Sequence, residues 1–533
     1  MRRRELLKSC VPLGLGAVLA AQRGGAAEAE LEVRPKEAGA TISKHVYGHF
    51  IEHLGGVIYD GIWVGQNSKI PNVAGIRKQF IDDMKRIAAP NLRWPGGCFA
   101  DGYHWRDGIG PLSRRPRTYN YWQNQMPAGT YTVESNHFGT HEFIRLCREV
   151  GAEPYLAANM GSGSPQEFHD WITYCNAPAG ALSLADERAA NGDKDPFRVR
   201  YWGVGNESWG CGGTMLPHEY VPLYYKFTSQ IPAYERPYLV AVGPRGHSAD
   251  MDLGWTTALF QAMGRRRPPD GLSVHFYTDF RRPEYRAGEF TPEQWYMVLH
   301  EGTRTEPVIV SHWEEMGKFD KTHRTRLVVD EWGAWYRQVA DLTPTYILSQ
   351  VGTMRDAVHA AITFDIFNRH ADKIAMANIA QTINCIHSLF WGFEDKFIRT
   401  PTYYTFELYR PHMEGRLVPL VIQAPELKVT RKNGEAGVLA ALAGSASLAE
   451  NRLTITLTNP SLANAVAARI RVTGAQVQEV RGRVLTHADM RGANTFEKPN
   501  EVVPATLPAT LAQGAVQVTI PSKSVAALEL RIV

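Results

Sequence analysis

The sequence predicts a (β/α)8 TIM barrel followed by a C-terminal antiparallel β-sandwich. Three observations carry this. Before residue 395, eight short apolar runs alternate with longer helical patterns. All 13 tryptophans lie between Trp63 and Trp391. From about residue 396 the apolar residues instead recur at every second position, which is strand periodicity.

The eight candidate strands are Val46–Ile51, Leu92–Pro95, Pro154–Ala158, Tyr201–Val204, Tyr238–Val242, Leu272–Phe276, Leu327–Val329 and Ile374–Ile379. Between the first two, Ile76, Phe80, Ile81, Met84 and Ile87 recur at helical spacing. Before the third, Phe143, Ile144, Cys147 and Val150 do the same, and Gly151 stands where a helix would stop. These elements put the barrel at residues 45–395. The sandwich, residues 396–533, is read from Leu453–Leu457, Val516–Ile520 and Leu528–Ile532, punctuated by Asn459-Pro460 and Pro521. Within residues 30–44, Leu31–Val33 is a candidate extra strand of that sandwich.

The 533 residues are 44% hydrophobic and 21% charged, which excludes disordered, collagen-like and coiled-coil classes. Net charge is +4, and the first 29 residues carry five basic against two acidic groups. The remainder is nearly neutral, so nucleic acid is not an expected partner. Arg2-Arg3-Arg4, the apolar run Val11–Ala21 and the small residues around Ala27-Glu28-Ala29 read as a twin-arginine-like signal peptide over residues 1–29. The expectation is export to the periplasm or beyond, with no membrane attachment after cleavage. Five cysteines follow residue 29, without CxxC or zinc spacing, so neither a disulfide framework nor a metal site is expected.

The strand ends carry the chemistry, because in a barrel their loops face one mouth. They supply Glu52, Arg93, Asn159, Asn206-Glu207, His275-Phe276-Tyr277, Asp330-Glu331 and Asn378–Gln381. Trp94, Trp105, Trp122, Trp209, Trp332 and Trp335 are close by in sequence, and such rings stack on sugar C–H faces. Glu207 follows strand four and Glu331 follows strand seven, so the two face each other across the barrel. Retaining glycoside cleavage needs two carboxyls roughly 5–5.5 Å apart. Singly, each glutamate is a solvated strand-end residue; as a pair they predict an acid and a nucleophile. Taken alone, Arg93 could equally support the rim by packing and a salt bridge, Tyr277 and Gln381 stand evenly between pocket wall and structural hydrogen bonding, and Trp105 and Trp209 evenly between core and subsite.

The chain resembles the α-L-arabinofuranosidases of glycoside hydrolase family 51. The matching stretches are Gly48–Gly55, Arg93-Trp94-Pro95-Gly96-Gly97, Gly108–Pro111, Asn136–Thr140, Gly203–Glu207, Asp330-Glu331-Trp332 and Ala377–Gln381. The resemblance implies a retaining mechanism without metal or cofactor, with Glu207 as acid/base and Glu331 as nucleophile. It implies that Asn206 bonds the sugar 2-hydroxyl, and that Glu52, Arg93, Tyr277, Gln381 and Trp122 line the pocket or orient the nucleophile. Cys98 stands where the family often has Asn, so one hydroxyl would be held differently. The glycine-rich segment Ser208–Gly213 also departs from the commoner version and leaves the aglycone open. The resemblance further implies a homo-oligomer, often a hexamer. The expected substrate is a terminal α-L-arabinofuranosyl residue of arabinoxylan, arabinan or their oligosaccharides. The same machinery on a β-xyloside, a galactofuranoside or a β-glucan, a silent carbohydrate-binding protein, and a barrel metalloenzyme stand as alternatives.

Overall fold

The computed structural model describes residues 27–122, 132–232, 234, 236–245, 252–338 and 346–533. Its centre is a closed parallel barrel of eight strands: β1 (Gly48–Phe50), β2 (Asn91–Trp94), β3 (Glu153–Ala158), β4 (Tyr201–Val204), β5 (Tyr238–Ala241), β6 (Gly271–Phe280), β7 (Arg326–Tyr336) and β8 (Ile374–Ile379). Each strand pairs with its sequence neighbours, and β8 closes on β1 through Asn378↔Gly48 and Ile379↔His49. The strands are mostly buried on both faces, which is why they read largely as apolar runs rather than as alternation.

Helix α1 (Lys78–Arg86) buries Phe80, Ile81 and Met84 against the barrel. Helix α2 (Thr140–Val150) buries Phe143, Ile144, Cys147 and Val150. Glu142 accepts the Gly139 N–H at its start, and Gly151 ends it at φ 83°. The outer ring continues with α3 (Pro165–Asn176), α4 (Ser183–Ala190), α5 (Pro217–Thr228), α6 (Leu253–Met263), α7 (Pro292–Gly302), α8 (Thr305–Gly317) and α9 (Met354–Arg369). Helix α10 (Pro401–Tyr409) then packs on α9. Among the described residues no helix is long and apolar enough to cross a membrane.

Two elements differ from the sequence reading. The stretch expected to open β1 at Val46 is a 3-10 turn, Lys44–Tyr47, because Ser43 Oγ accepts the His45 N–H and curls the chain. The extended part begins only at Gly48, where a Cβ would lie 2.4 Å from the Asn378 side chain. Conversely, β6 and β7 run well past their apolar segments and stay paired as far as Phe280↔Tyr336. Those extensions carry Tyr277, Asp330 and Glu331.

Two antiparallel-rich sheets form the sandwich. One orders Leu420–Gln423, Ala27–Val33, Val466–Val472, Ala515–Ile520 and Ala509–Ala512. The other orders Arg416–Val418, Ala443–Ala449, Arg452–Asn459, Ser524–Ile532, Val477–Thr486 and Ala505–Thr506. Leu31, Val33, Ile455, Leu457, Ile470 and Leu528 fill the space between them, each worth about 1.5–3 kcal/mol of burial. The segment Ala27–Val33 pairs in parallel with Val466–Val472 and antiparallel with Leu420–Gln423. This corrects one part of the signal-peptide reading, since Ala27-Glu28-Ala29, expected at the cleavage zone, is hydrogen-bonded strand. Residues 1–26 of that reading lie outside the described residues.

The sandwich is fastened to the barrel through α9. Asp365 is buried, and its carboxylate accepts from Tyr409 (2.8 Å), Ser445 (2.8 Å), Thr456 (3.2 Å) and Thr458 (3.3 Å).

Candidate active site

Glu331 sits mid-way along the extended β7, where the register against β8 shifts between Val329 and Trp332. Such an irregularity re-aims side chains, and here the consecutive Asp330 and Glu331 both approach Arg93. Arg93, on β2 and only 1% exposed, donates from Nη1 to Glu331 Oε1 at 3.0 Å. Its Nη2 donates to Asn206 Oδ1 at 2.6 Å, and its Nε lies 3.9 Å from Asp330. Burial alone would lower the Arg93 pKa, but Asp330 and Glu331 outweigh it and raise it. Tyr277, on β6, donates to Glu331 Oε2 at 2.8 Å. The carboxylate of Glu331 is therefore gripped at both oxygens.

Glu207 comes from the turn after β4. Gly205 has φ 88° and Glu207 itself has φ 37°, a strained conformation for a residue with a side chain. The turn is pinned by Asp101, whose carboxylate accepts the Asn206 N–H (3.2 Å) and the Met160 N–H (3.0 Å). Burial pushes Asp101 up to about 7 against those donors. The result brings one oxygen each of Glu207 and Glu331 and one nitrogen of His275 within 4.8 Å of one another. His275 Nδ1 lies 2.9 Å from Glu207 Oε1 and 3.5 Å from Glu331 Oε2. Burial lowers the His275 pKa, but the Glu331 charge and the Glu207 hydrogen bond raise it further, and the net shift is upward.

Glu52, just beyond β1, accepts the N–H groups of Gly97 and Phe99, each at 3.0 Å, and Gln381 Nε2 at 2.9 Å. Burial and the nearby Glu331 push it up to about 7. Gly96-Gly97 makes a close approach here: at φ 156°, a Cβ on Gly96 would lie 2.4 Å from Glu52 Cγ, and one on Gly97 would lie 2.6 Å from Glu331 Oε1.

Glu52, Arg93, Asn206, Glu207, Tyr277, Glu331 and Gln381 thus form one contiguous network. Cys98 joins it in an unexpected form. It is disulfide-bonded to Cys211, 113 residues on, and the two sulfurs lie 3.9 and 3.8 Å from Glu207 Oε2. This corrects the expectation of unpaired cysteines; a disulfide has no S–H, so neither sulfur donates to Glu207. Cys147, Cys175 and Cys385 are free and buried. Trp122 stands at the rim, half-buried, its carbonyl accepting from Gly55 N at 3.1 Å. The tryptophans divide: Trp94, Trp105 and Trp332 are core, whereas Trp209 and Trp335 are half-buried, with Trp335 edge-on to Tyr277 at 4.9 Å.

Sequence reasoning placed His275 and Asp330 at the strand ends without giving either a role, and it overlooked Asp101 and Cys211 as site residues. A signal for His275 existed, since it stands two residues before Tyr277 on one strand and so shares its face. Cys211 offered none, because long-range pairing leaves no local pattern.

Two families of domains match the chain: Alpha-L-arabinofuranosidase 1 domain at residues 83–277 and Alpha-L-arabinofuranosidase C-terminal domain at residues 330–524. An intracellular exo-alpha-L-arabinofuranosidase of Bacteroides ovatus is 36% identical over 99% of both chains. An intracellular exo-alpha-(1->5)-L-arabinofuranosidase of Streptomyces lividans is 26% identical over 89% of this chain and 71% of its own. The crystal structure of the GH51 arabinofuranosidase from Xanthomonas axonopodis pv. citri superposes with a TM-score of 0.87 at 36% identity, over 95% of this chain and 100% of that one. Both of these curated relatives are named intracellular, which overturns the expected export to the periplasm.

Proposed function

From the premise that this chain belongs to the α-L-arabinofuranosidases of glycoside hydrolase family 51, we infer how its own residues perform the reaction. It is a retaining exo-glycoside hydrolase that releases terminal α-L-arabinofuranosyl residues from arabinose-containing carbohydrate. The observation that carries the residue assignment is the approach of the two carboxyls to within 4.8 Å, with different surroundings. That spacing suits a covalent intermediate and leaves no room for the water an inverting enzyme places between its carboxyls, which needs roughly 6.5–9.5 Å.

Glu331, held by Arg93 and Tyr277, is the nucleophile. It attacks the anomeric carbon while Glu207 gives its proton to the departing oxygen. Glu207 then becomes a carboxylate beside the disulfide, and His275 Nδ1 at 2.9 Å supplies a partner for that new charge. In the second half Glu207 takes a proton from water, which displaces Glu331 and restores the starting configuration. Asn206 accepts from Arg93 at Oδ1 and one of its amide N–H groups donates to Cys211 Sγ at 3.8 Å, so the other is left to meet the sugar 2-hydroxyl, a contact that tightens as charge develops at the anomeric carbon. Glu52, Gln381 and the Cys98 segment offer acceptors and donors to the remaining hydroxyls, and Trp122 offers a face on the leaving-group side. Arabinoxylan and arabinan side chains are the proposed natural sources, and a homo-oligomer the proposed assembly, which light scattering tests.

The experiment is turnover of an aryl α-L-arabinofuranoside beside aryl β-xyloside, galactofuranoside and β-glucoside. Glu331→Ala abolishes turnover. Glu207→Ala spares substrates with good leaving groups relative to poor ones, because these need less protonation. Equal losses on both classes contradict the assignment.

A further inference from the structure

The Cys98–Cys211 disulfide lies against Glu207, the group that transfers the proton. We propose that reduction of this disulfide by a dithiol or a phosphine creates, with Glu207, a three-ligand site for a thiophilic divalent cation such as zinc or cadmium, and that the bound cation stops hydrolysis by occupying the acid/base.

The geometry is nearly that of such a site. Cys98 Sγ, Cys211 Sγ and a Glu207 oxygen all lie within 4.8 Å of one another, with the two sulfur–oxygen separations at 3.9 and 3.8 Å. In a tetrahedral zinc site, with Zn–S about 2.3 Å and Zn–O about 2.0–2.2 Å, neighbouring ligand atoms stand roughly 3.6–3.8 Å apart. Two of the three edges are therefore in place. The third opens on reduction, because two thiolates cannot stay in bonding contact. His275 Nδ1, 2.9 Å from the other Glu207 oxygen, holds the carboxylate in its orientation as an outer-shell partner does in built metal sites. The fourth position is left for water or chloride.

Access and selectivity also fit. Cys211 is exposed and Cys98 half-buried, so reductant and cation reach them from solvent. Cys147, Cys175 and Cys385 are each at most 1% exposed, and burial pushes their thiols up, so they do not compete for the ion. Two electrons and two protons break the S–S bond and leave two thiols, while a dithiol donor closes to its own cyclic disulfide, or a phosphine takes the oxygen of a water molecule to become its oxide and that water supplies the two protons. The cation then displaces the two thiol protons. In the oxidised protein the sulfurs are neutral and bind such ions weakly, so the disulfide shields Glu207 from capture.

The test uses the full chain, reduced with a phosphine, desalted without oxygen and titrated with cadmium chloride. Reduction is verified by the gain of two titratable thiols, and folding by circular dichroism. The expected result is an ultraviolet thiolate-to-cadmium absorption that saturates at one ion per chain. Turnover of the aryl arabinofuranoside is lost in step with it and returns on adding EDTA, while the oxidised protein shows neither effect. In reduced Glu207→Gln the absorption remains, but cadmium binds more weakly than to the reduced parent, because one of its three ligands is lost. Reduced protein that shows no absorption overturns the proposal, as does Cys211→Ala that binds cadmium as tightly as the reduced parent. The absorption is read without turnover, so a failure of the glycosidase assignment is distinguishable from a failure of this site.

Discussion

Arg93→Lys isolates what the buried guanidinium does. Its two arms hold the nucleophile (3.0 Å to Glu331) and the 2-hydroxyl reader (2.6 Å to Asn206) at once, and its plane stacks 4.6 Å from the Phe50 ring centroid. Lysine keeps the charge but has a single ammonium on a flexible stem, so it satisfies one partner and abandons the other. Losing one hydrogen bond to a charged group costs ~1.5–3 kcal/mol. If that loss falls on the transition state, kcat/KM drops roughly 10- to 150-fold. If lysine stays with Glu331, Asn206 is released, and the penalty for a 2-deoxy substrate shrinks in the variant. If it goes to Asn206, that penalty persists and kcat collapses. The assay is steady-state kinetics on aryl α-L-arabinofuranosides with and without the 2-hydroxyl, with melting curves to verify folding. A variant within about threefold of the parent on both substrates refutes the reasoning.

Three further outcomes are expected. Gly97→Ala places a methyl 2.6 Å from Glu331 Oε1, and the overpacking, about 1–3 kcal/mol, shows in kcat rather than in global stability; unchanged kcat would count against the tight fit. Glu52 has its pKa raised to about 7 from an ordinary 4.5, so the folded state keeps a proton the unfolded state has already lost, and stability falls as pH rises across that window by up to ~3 kcal/mol. Glu52→Gln is isosteric, and a flip of the Gln381 amide would turn its Oε1, unpartnered among the described residues, toward the new N–H2; denaturant midpoints from pH 4.5 to 7 should lose that slope. Asp365→Ala strips the acceptor from four buried hydroxyls and should lower the melting temperature by a loss of ~2–4 kcal/mol while leaving kcat unchanged, and a parallel fall in kcat would show coupling between sandwich and site.

The barrel was legible because its strands are largely buried and each carries an apolar stretch, a pattern that survives reading one residue at a time. Legibility failed where polar residues continue a strand. Asp330-Glu331 ends the apolar run of β7, and Tyr277–Phe280 lies beyond that of β6, so both strands look short although their pairing persists through the site. Glu207 and Glu331 were legible as strand-end acids, and the loops of a barrel leave few other places for them to meet. Roles that depend on three-dimensional company were not. The contact of His275 with both acids follows from its register opposite Glu331, and the Cys98–Cys211 bond from two loops folding together. Tryptophan density near the motifs misled for the same reason: Trp94 and Trp332 face away from the pocket into the packing behind it.

The strand Ala27–Val33 is made first, and both of its neighbours, Leu420–Gln423 and Val466–Val472, come after the whole barrel. During synthesis it waits as a bare edge while several hundred residues emerge at ~5–20 per second. Glu28, Glu30 and Glu32 occupy every second position, and the like charges discourage the waiting segment from pairing with its copy on a neighbouring nascent chain. The outward-facing acids of this strand thus work as chaperoning charges long before they become ordinary surface.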